Sequence, residues 1–250
     1  MRPWGSLWLG VLCLLLPHAR GFGLDPSRHI SQYGHTVWRT QDGQVSETSP
    51  IAQTTDGYIW IGNSNGTLSR FDGVRFVPWA PPADSRFVVR HVTALLGASD
   101  GSLWIGTSSG LGRLKDGHFH NYYKPEDRWG IFSIIEDRAG RIWVTRYHLS
   151  GQKGTICQVQ DQALHCYGPA EGVPLAFGAG LAEDTHGNFW VGANELCRWR
   201  PGSSCTTYFN NLADNETAAM VATGPAGIVW AVVDAAGRKE IGRASCRERV

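Results

Sequence analysis

Short apolar runs separated by polar turns recur along this chain. The most regular run starts at an Asp56-Gly57 turn and continues directly into the apolar residues 58–61 around a tryptophan. In every copy a glycine stands three residues before the tryptophan: Gly57 and Trp60, Gly101 and Trp104, Gly140 and Trp143, Gly187 and Trp190, Gly227 and Trp230. Successive tryptophans are 44, 39, 47 and 40 residues apart. A motif recurring at such steps is typical of a solenoid or a propeller.

The flanks of the motif predict which kind of array this is. An apolar strand precedes each turn, as at 92–96, and a third strand follows each tryptophan, as at 66–71. An Asp72-Gly73 pair then leads to a fourth strand at 74–79, and Asp-Gly between such runs is a strong hairpin signal. Four short antiparallel strands per repeat, without helical periodicity, predict an all-β fold, a β-propeller of four-stranded blades.

The tryptophan strands are apolar on both alternating faces. A sandwich strand would alternate with polar residues, whereas a blade is covered by a neighbour on each side, and burial on both faces gives continuous apolar runs. We therefore expect these tryptophans to pack between blades; contact with a ligand is the alternative. The sequence accommodates about four and a half such blades.

Both ends of the chain depart from the repeat. Residues 1–21 combine a basic start, an apolar stretch and small residues near position 21, which predicts a secretory signal peptide and an exported protein. Residues 240–250 are rich in arginine and match the translation of a common sequencing adapter, so we expect them to be an artefact. The predicted propeller therefore occupies residues 22–239.

Charge and catalytic motifs exclude several classes of function. Residues 22–239 hold 18 Lys and Arg against 20 Asp and Glu, so nothing indicates a nucleic-acid partner. No GxSxG, HExxH or phosphate-binding loop occurs, and no paired carboxylates stand out. We predict no catalytic residue, no metal site and no cofactor in this region.

Four cysteines of the body pair by position. A two-residue turn at Asp161-Gln162 places Cys157 directly opposite Cys166, and Cys197 and Cys205 bracket a turn at the same place in the next repeat. Three connectivities are possible; hairpin geometry favours these two disulfides, and export makes oxidation plausible. A zinc site is the rival, without CxxC spacing to support it.

The repeats vary in length at particular connections. These are the links from the fourth strand to the next repeat, and an insertion at 147–153 between the second and third strands of repeat three. Both kinds of link emerge on one face of the disc, where binding loops belong, although simple drift of loop length would look the same. The side chains there with most recognition potential are Arg86, Trp129, Tyr147, His148 and Phe177.

Copies of the form Asp-Gly-Tyr-Ile-Trp-Ile-Gly, followed by Gly-x-Leu-x-Arg-Phe-Asp-Gly, resemble the two-component regulator propeller family over most of residues 29–237. The resemblance implies a seven-bladed propeller at the N-terminus of a membrane-anchored, dimeric histidine kinase that works in a phosphorelay. It also implies a periplasmic or extracytoplasmic position at the inner membrane. The implied ligand is an unknown small molecule or saccharide.

Two classes of function therefore remain open. One is an extracytoplasmic ligand-sensing domain of a two-component sensor, whose own kinase domain lies outside this sequence. The other is an exported propeller enzyme, such as a lyase or a glycoside-acting protein, with its residues on the same face. Paired carboxylates or a tyrosine–histidine set in the channel would favour the enzyme.

Overall fold

The computed structural model describes residues 29–32, 37, 50–63, 65–122, 129–148, 154–208, 217–224, 228–235 and 238–244. Residues Met1–Val37 form a separate unit, of which a 3-10 turn at Ile30–Gln32 is described. The predicted signal peptide lies outside the described residues. All five sheets lie within the second unit, Trp38–Val250.

Nineteen strands of the described residues form five antiparallel sheets, each a consecutive meander. Blade 1 holds β1 (Ile51–Gln53), β2 (Ile59–Gly62), β3 (Leu68–Phe71) and β4 (Phe76–Trp79). Blade 2 holds β5 (Val92–Gly97), β6 (Leu103–Thr107), β7 (Gly110–Lys115) and β8 (His118–Asn121). Blade 3 holds β9 (Trp129–Glu136), β10 (Ile142–His148), β11 (Ile156–Gln160) and β12 (Ala163–Tyr167). Blade 4 holds β13 (Leu181–Glu183), β14 (Phe189–Gly192), β15 (Leu196–Trp199) and β16 (Thr206–Tyr208). Blade 5 holds β17 (Thr217–Thr223), β18 (Val229–Ala235) and β19 (Arg238–Ala244).

This is the β-propeller arrangement that the repeats predict. The first strands of neighbouring blades contact one another, as β1 does β5 and β5 does β9, which places them innermost. Short 3-10 turns at Ala83–Ser85 and Pro169–Glu171 lie in the connections between blades. Strand β19 extends through part of the segment set apart above as an artefact; the origin of residues 240–250 stays a prediction. Within the described ranges, no helix is long and apolar enough to cross a membrane.

Each blade has two kinds of edge. The turns from first to second strand and from third to fourth strand lie on one side, which we call the hairpin face. The links from second to third strand and from one blade to the next lie on the other side, which we call the loop face. The antiparallel order of each sheet fixes this division.

The repeated tryptophans pack between blades, as their two-sided apolar strands predict. Trp143 is fully buried, and its ring lies 4.5 Å from Phe189 and 6.1 Å from Trp199 of blade 4, measured between centroids. In the same way Trp60 belongs to one apolar cluster with Leu103 of blade 2. Trp230, in the last sheet, is instead 43% exposed.

A glycine two residues after the tryptophan permits this close stacking. A Cβ atom on Gly62 would stand 2.3 Å from the side chain of Val92, and one on Gly106 would stand 2.7 Å from Ile131. Both neighbours belong to the first strand of the following blade. Any larger side chain would therefore push the next blade away.

In blades 1, 3 and 4 the residue six positions before the tryptophan closes the turn and accepts a hydrogen bond from the indole. In blade 4 the Trp190 indole N–H donates to Asp184 at 2.9 Å, and in blade 3 Trp143 donates to Asp137 at 2.8 Å. In blade 1 the acceptor of the Trp60 indole is the Thr54 hydroxyl, at 3.1 Å. The side chain at this position therefore fixes both the turn and the ring.

Burial and hydrogen bonding act in opposite directions on these two carboxylates. Burial raises the pKa of Asp137, but hydrogen bonds from Arg141 and the Trp143 indole outweigh it, so the pKa lies below its usual range. Burial likewise raises the pKa of Asp184, and donors from Asn188 and Trp190 bring it below the ordinary value. Both side chains are therefore charged acceptors at neutral pH.

The structure joins Cys157 to Cys166 and Cys197 to Cys205. The first pair is directly opposite in register, as predicted, with Cα atoms 4.0 Å apart. The second pair is not at the same place in its blade, which corrects the sequence interpretation. Thr207 is the residue opposite Cys197, and Cys205 precedes the strand, 5.7 Å away between Cα atoms.

Candidate functional site

The innermost strand of blade 3 carries a bulge near the loop face. Thr145 pairs with Ser133 and Arg146 pairs with Ile131, so Phe132 is an extra residue without a partner in the ladder. Bulges re-aim a side chain locally and are frequent at rims and beside functional sites. This one turns Phe132 outward: the residue is 40% exposed, although its strand is otherwise largely buried.

The same bulge recurs in other blades. In blade 2, Val92 pairs with Thr107 and Ala94 with Gly106, which leaves Thr93 as the extra residue. Blade 5 shows the equivalent shift between Ala218 and Met220. The repeat therefore has a built-in break in its inner strand, and blade 3 uses it to present an aromatic ring.

Three aromatic side chains meet at this break, and we call them the aromatic cluster: Phe132, Tyr147 and Phe177. The ring of Phe132 lies 4.6 Å from that of Tyr147 and 6.5 Å from that of Phe177, between centroids. Tyr147 and Phe177 are half-buried, so each keeps part of its ring at the surface. The cluster therefore presents an exposed apolar platform on the loop face.

Backbone contacts hold the cluster in place. Tyr147 forms an isolated antiparallel bridge with Phe177, which takes the position beside β10 that β11 leaves free. A Cβ atom on Gly130 would lie 2.4 Å from the Tyr147 ring, so only glycine lets this ring fold over β9. The Tyr147 hydroxyl donates to the carbonyl of Ser108 in blade 2, at 3.4 Å.

A second feature, the arginine cavity, lies on the loop face between blades 1 and 2. It measures about 250 Å³ and is lined by Arg86, Phe87, Val88, Arg90 and Ser109. Both arginines are exposed. Two exposed arginines at one cavity favour a carboxylate or another anionic oxygen group, which arginine binds in a bidentate manner.

The chain around this cavity is held in an uncommon backbone conformation. Arg86 has a φ of 55° and His91 a φ of 38°, values that non-glycine residues rarely adopt. The Ser109 hydroxyl donates to the Val88 carbonyl at 3.3 Å, and the Ser108 N–H donates to the His91 carbonyl at 3.2 Å. These bonds fix the two arginines relative to the turn that follows β6.

Ser108 also connects the two features, because its carbonyl accepts the bond from Tyr147. The aromatic cluster and the arginine cavity are thus parts of one surface that spans blades 1 to 3, which we call the loop-face surface. Its groups can stack against a flat ligand and pair with an acidic one. This chemistry is that of binding rather than of proton transfer.

Of the five residues predicted to contact a ligand, three lie on the loop-face surface. Arg86 lines the cavity, and Tyr147 and Phe177 touch each other. Trp129 is only 4% exposed and belongs to the core, with the Arg146 guanidinium 5.9 Å from its ring. His148 ends β10, and its side chain lies outside the described residues. A ligand contact by either Trp129 or His148 stays a prediction.

One boundary predicted from the sequence was wrong. Tyr147 and His148 were assigned to an insertion outside the strands, yet both pair within β10, opposite Gly130 and Trp129. The connection therefore starts at residue 149. Removing residues 147–153 would cut into the blade itself.

The sequence analysis missed five residues of this surface: Phe87, Val88, Arg90, Ser109 and Phe132. Phe132 stood within a continuous apolar run, where a bulge leaves no trace in the pattern. Arg90 was missed because only Arg86 was singled out in the connection between blades 1 and 2, although that connection continues up to β5 at Val92.

Among the described residues, no three His, Cys, Asp or Glu side chains are grouped so as to hold a metal ion. His118 and His120 of β8 instead make local contacts. The first lies 3.0 Å from the carbonyl of Asp116, and the second packs edge-on against Tyr122.

Comparison with known proteins supports the fold. No protein-family model and no curated protein matches the chain. A similar solved structure is the extracellular domain of a B. thetaiotaomicron protein assigned to a hybrid two component system. It has a TM-score of 0.60 at 18% identity, over 81% of this chain and 29% of that one.

A second extracellular domain from the same organism, assigned to a one component system, gives a TM-score of 0.58 at 16% identity, over 83% of this chain and 33% of that one. Regucalcin from Agrobacterium tumefaciens, a calcium-binding protein, gives a TM-score of 0.55 at 14% identity, over 80% of this chain and 74% of that one. The chain thus spans about a third of the first two. At these identities the likeness shows a shared β-propeller fold.

Proposed function

We propose that this chain is the extracytoplasmic ligand-sensing propeller of a two-component sensor, and that the loop-face surface is where it binds its ligand. The observation that carries the proposal is the exposed Phe132 ring, which a bulge presents beside Tyr147 and Phe177. Exposed aromatic clusters on a rigid scaffold are characteristic of binding surfaces.

The nature of the ligand follows from the two parts of the surface. The aromatic cluster offers ring faces for stacking, and the arginine cavity offers two guanidinium groups to an acidic group. A small molecule or saccharide that carries a carboxylate would engage both. The two extracellular domains with the same fold belong to proteins assigned to signalling systems, which supports a sensory role here.

In this proposal the chain is exported, and the protein to which it belongs is anchored in the inner membrane, dimeric, and provided with a histidine kinase domain. The propeller then lies on the periplasmic side and carries no catalytic group of its own. An exported enzyme using the same face is the competing hypothesis. It would turn over its ligand, whereas a sensor would release it unchanged.

The test measures binding and turnover together. A panel of neutral and acidic oligosaccharides is screened by thermal shift against the exported protein and its Phe132→Ala and Arg86→Ala variants. We expect both variants to bind an acidic member roughly tenfold more weakly, since truncating a central contact has effects of that order. Trp230→Ala is the matched control, because Trp230 is an equally exposed aromatic residue outside this surface.

Equal affinity in all four proteins would contradict the assignment of the site. Release of a chemically altered compound would instead favour the enzyme. Circular dichroism of each variant shows whether a lost response comes from lost folding.

A further inference from the structure

Blade 2 departs from its neighbours at the tryptophan indole. Ala98 stands six residues before Trp104, and its backbone makes the same turn bonds as Asp137: Ala98 N–H to the Ser102 carbonyl at 2.8 Å and Gly101 N–H to the Ala98 carbonyl at 3.0 Å. An alanine side chain accepts no hydrogen bond. The Trp104 indole N–H is therefore left without a partner among the described residues.

Such a donor is uncommon and calls for an explanation; among the described residues, the Trp199 indole of blade 4 is the other case. Trp104 is only 3% exposed, so bulk water does not satisfy its N–H. Blades 1, 3 and 4 all supply an acceptor from the chain at this point. In blade 2 no side chain that the structure describes accepts a bond at this point, and both Ala98 and the indole nitrogen are closed off from solvent.

A cavity of about 330 Å³ lies beside this position, between blades 2 and 3 and toward the hairpin face. Ala98 and Trp104 both line it. Tyr122 forms part of the wall, with its ring 5.5 Å from the indole, and Val159 adds apolar surface. The cavity lies at the small end of the range for ligand pockets.

The charges of the wall decide which ligand fits. Arg113 is already paired with Asp100 at 2.6 Å, and Arg141 with Asp137 at 2.7 Å. Glu136 and Asp161 bring further carboxylates to the wall. Since both guanidinium groups are neutralised, an anion gains little here, whereas hydroxyl groups can donate to the carboxylates.

The Tyr122 phenol keeps its proton at neutral pH and can donate it, because burial raises its pKa and outweighs the neighbouring Arg113 guanidinium, which lowers it. A ligand group that both accepts and donates is therefore required, and a hydroxyl is the simplest such group.

We propose that the cleft between blades 2 and 3 binds a small, neutral, polyhydroxylated ligand. One of its hydroxyl groups accepts the bond from the Trp104 indole in the place that an aspartate carboxylate takes in blades 3 and 4. In this proposal Arg113, whose guanidinium lies 5.3 Å from the indole ring and pairs with Asp100, moves aside to admit that hydroxyl. The site is separate from the loop-face surface and does not rest on the function proposed for it.

The experiment follows the indole N–H resonance of Trp104 in ¹⁵N-labelled protein, assigned with Trp104→Phe. The probes are glucose, galactose, mannitol and myo-inositol, with glucuronate as the charged counterpart. We expect at least one neutral probe to shift this resonance at up to about 50 mM, because a ligand with so few contacts binds weakly. Glucuronate should bind roughly tenfold more weakly.

Ala98→Asp is the decisive variant, because it provides the missing acceptor from the chain. We expect it to bind no probe while it unfolds at a higher temperature than the wild type, so lost binding cannot be ascribed to lost folding. Asp161→Asn keeps the shape of the wall and removes one charged acceptor; roughly tenfold weaker binding is expected.

Asp184→Ala is the matched control, since it leaves an orphaned indole in blade 4 away from this cavity. A probe that shifts the Trp190 resonance of this variant as strongly as that of Trp104 would overturn the proposal. So would unchanged binding in Ala98→Asp, or a Trp104 resonance that no neutral probe shifts.

Discussion

Replacing Asp184 by alanine should destabilise the propeller far more than an average single substitution. Its carboxylate accepts four hydrogen bonds: from the Trp190 indole at 2.9 Å, the backbone N–H groups of His186 at 2.8 Å and Asn188 at 2.9 Å, and the Asn188 amide at 2.8 Å. Asp184 is 4% exposed and Trp190 is fully buried. The substitution therefore reproduces in blade 4 the orphaned indole that blade 2 already has.

The size of the effect can be worked from these bonds. Leaving a buried donor unsatisfied costs about 1–3 kcal/mol, and the turn bonds add about 1 kcal/mol because their N–H groups can turn to water. The sum is about 2–4 kcal/mol. For a domain of this size each kcal/mol lowers Tm by about 2–4 °C, so a decrease of roughly 5–15 °C is expected.

The reverse change gives a smaller effect. Ala98→Asp restores the indole acceptor in blade 2, but Ser102 N–H already donates to Asp100 at 2.9 Å, and Glu136 bonds to Ser99 next to the new carboxylate. The new carboxylate competes with Asp100 for the Ser102 N–H and is repelled by Glu136, so the free energy of unfolding rises by only about 1 kcal/mol. Thermal and urea unfolding of both variants against the wild type measure the two effects. If Asp184→Ala costs less than about 1 kcal/mol, a water molecule satisfies the indole and the reasoning fails.

Four further predictions concern stability and the loop face. The pKa of Asp137 is lower in the folded than in the unfolded protein, so the folded state binds fewer protons. The ionised carboxylate therefore stabilises the fold fully above the unfolded pKa of about 4, and this stabilisation is lost as pH falls through the folded pKa. Asp137→Asn should therefore flatten the acid limb of a plot of unfolding free energy against pH, and an unchanged limb would contradict the assignment. Loss of the Cys157–Cys166 disulfide should lower the free energy of unfolding by about 2.7 kcal/mol, through the entropy of the loop that it closes. Urea unfolding of Cys157→Ser measures this loss. Free thiols in non-reducing peptide mapping of the exported protein would refute the bond. Trp143→Ala should cost roughly 3–5 kcal/mol because it empties a contact between blades, and a much smaller loss in urea unfolding would mean that the blades do not depend on it. Deleting residues 149–153, which leaves β10 whole, should keep Tm nearly unchanged because shortening a loop alters closure entropy only slightly; a large decrease would show that the segment supports the blade.

The repeat made the architecture predictable. Nearly every strand could be located from the Asp-Gly turns and from the tryptophan strands that are apolar on both faces, since turn chemistry and burial are both local properties of the sequence. The opposition of Cys157 and Cys166 followed from a two-residue turn. Cys205 was misplaced because its turn is longer, and a longer turn no longer determines the register.

The candidate site was predictable only in part. Arg86, Tyr147 and Phe177 were identified because they lie in connections of varying length. Phe132 could not be found, because the bulge that exposes it depends on hydrogen bonds between two strands. The sequence shows that Ala98 stands where two other repeats have aspartate. Only the structure shows that this aspartate bonds to the tryptophan indole, and hence that the Trp104 indole in blade 2 has no partner among the described residues.

The sensor hypothesis is tested most directly by the sequence of the encoding locus on both sides of codon 239. If the chain belongs to such a sensor, the repeats continue beyond Lys239 in genomic DNA and are followed by one membrane-spanning segment and a histidine kinase domain. If residues 240–250 are an artefact, the codons for Ile241–Val250 are absent there. Genomic DNA that encodes Ile241–Val250 and then a stop codon, with no membrane segment or kinase, would contradict both expectations.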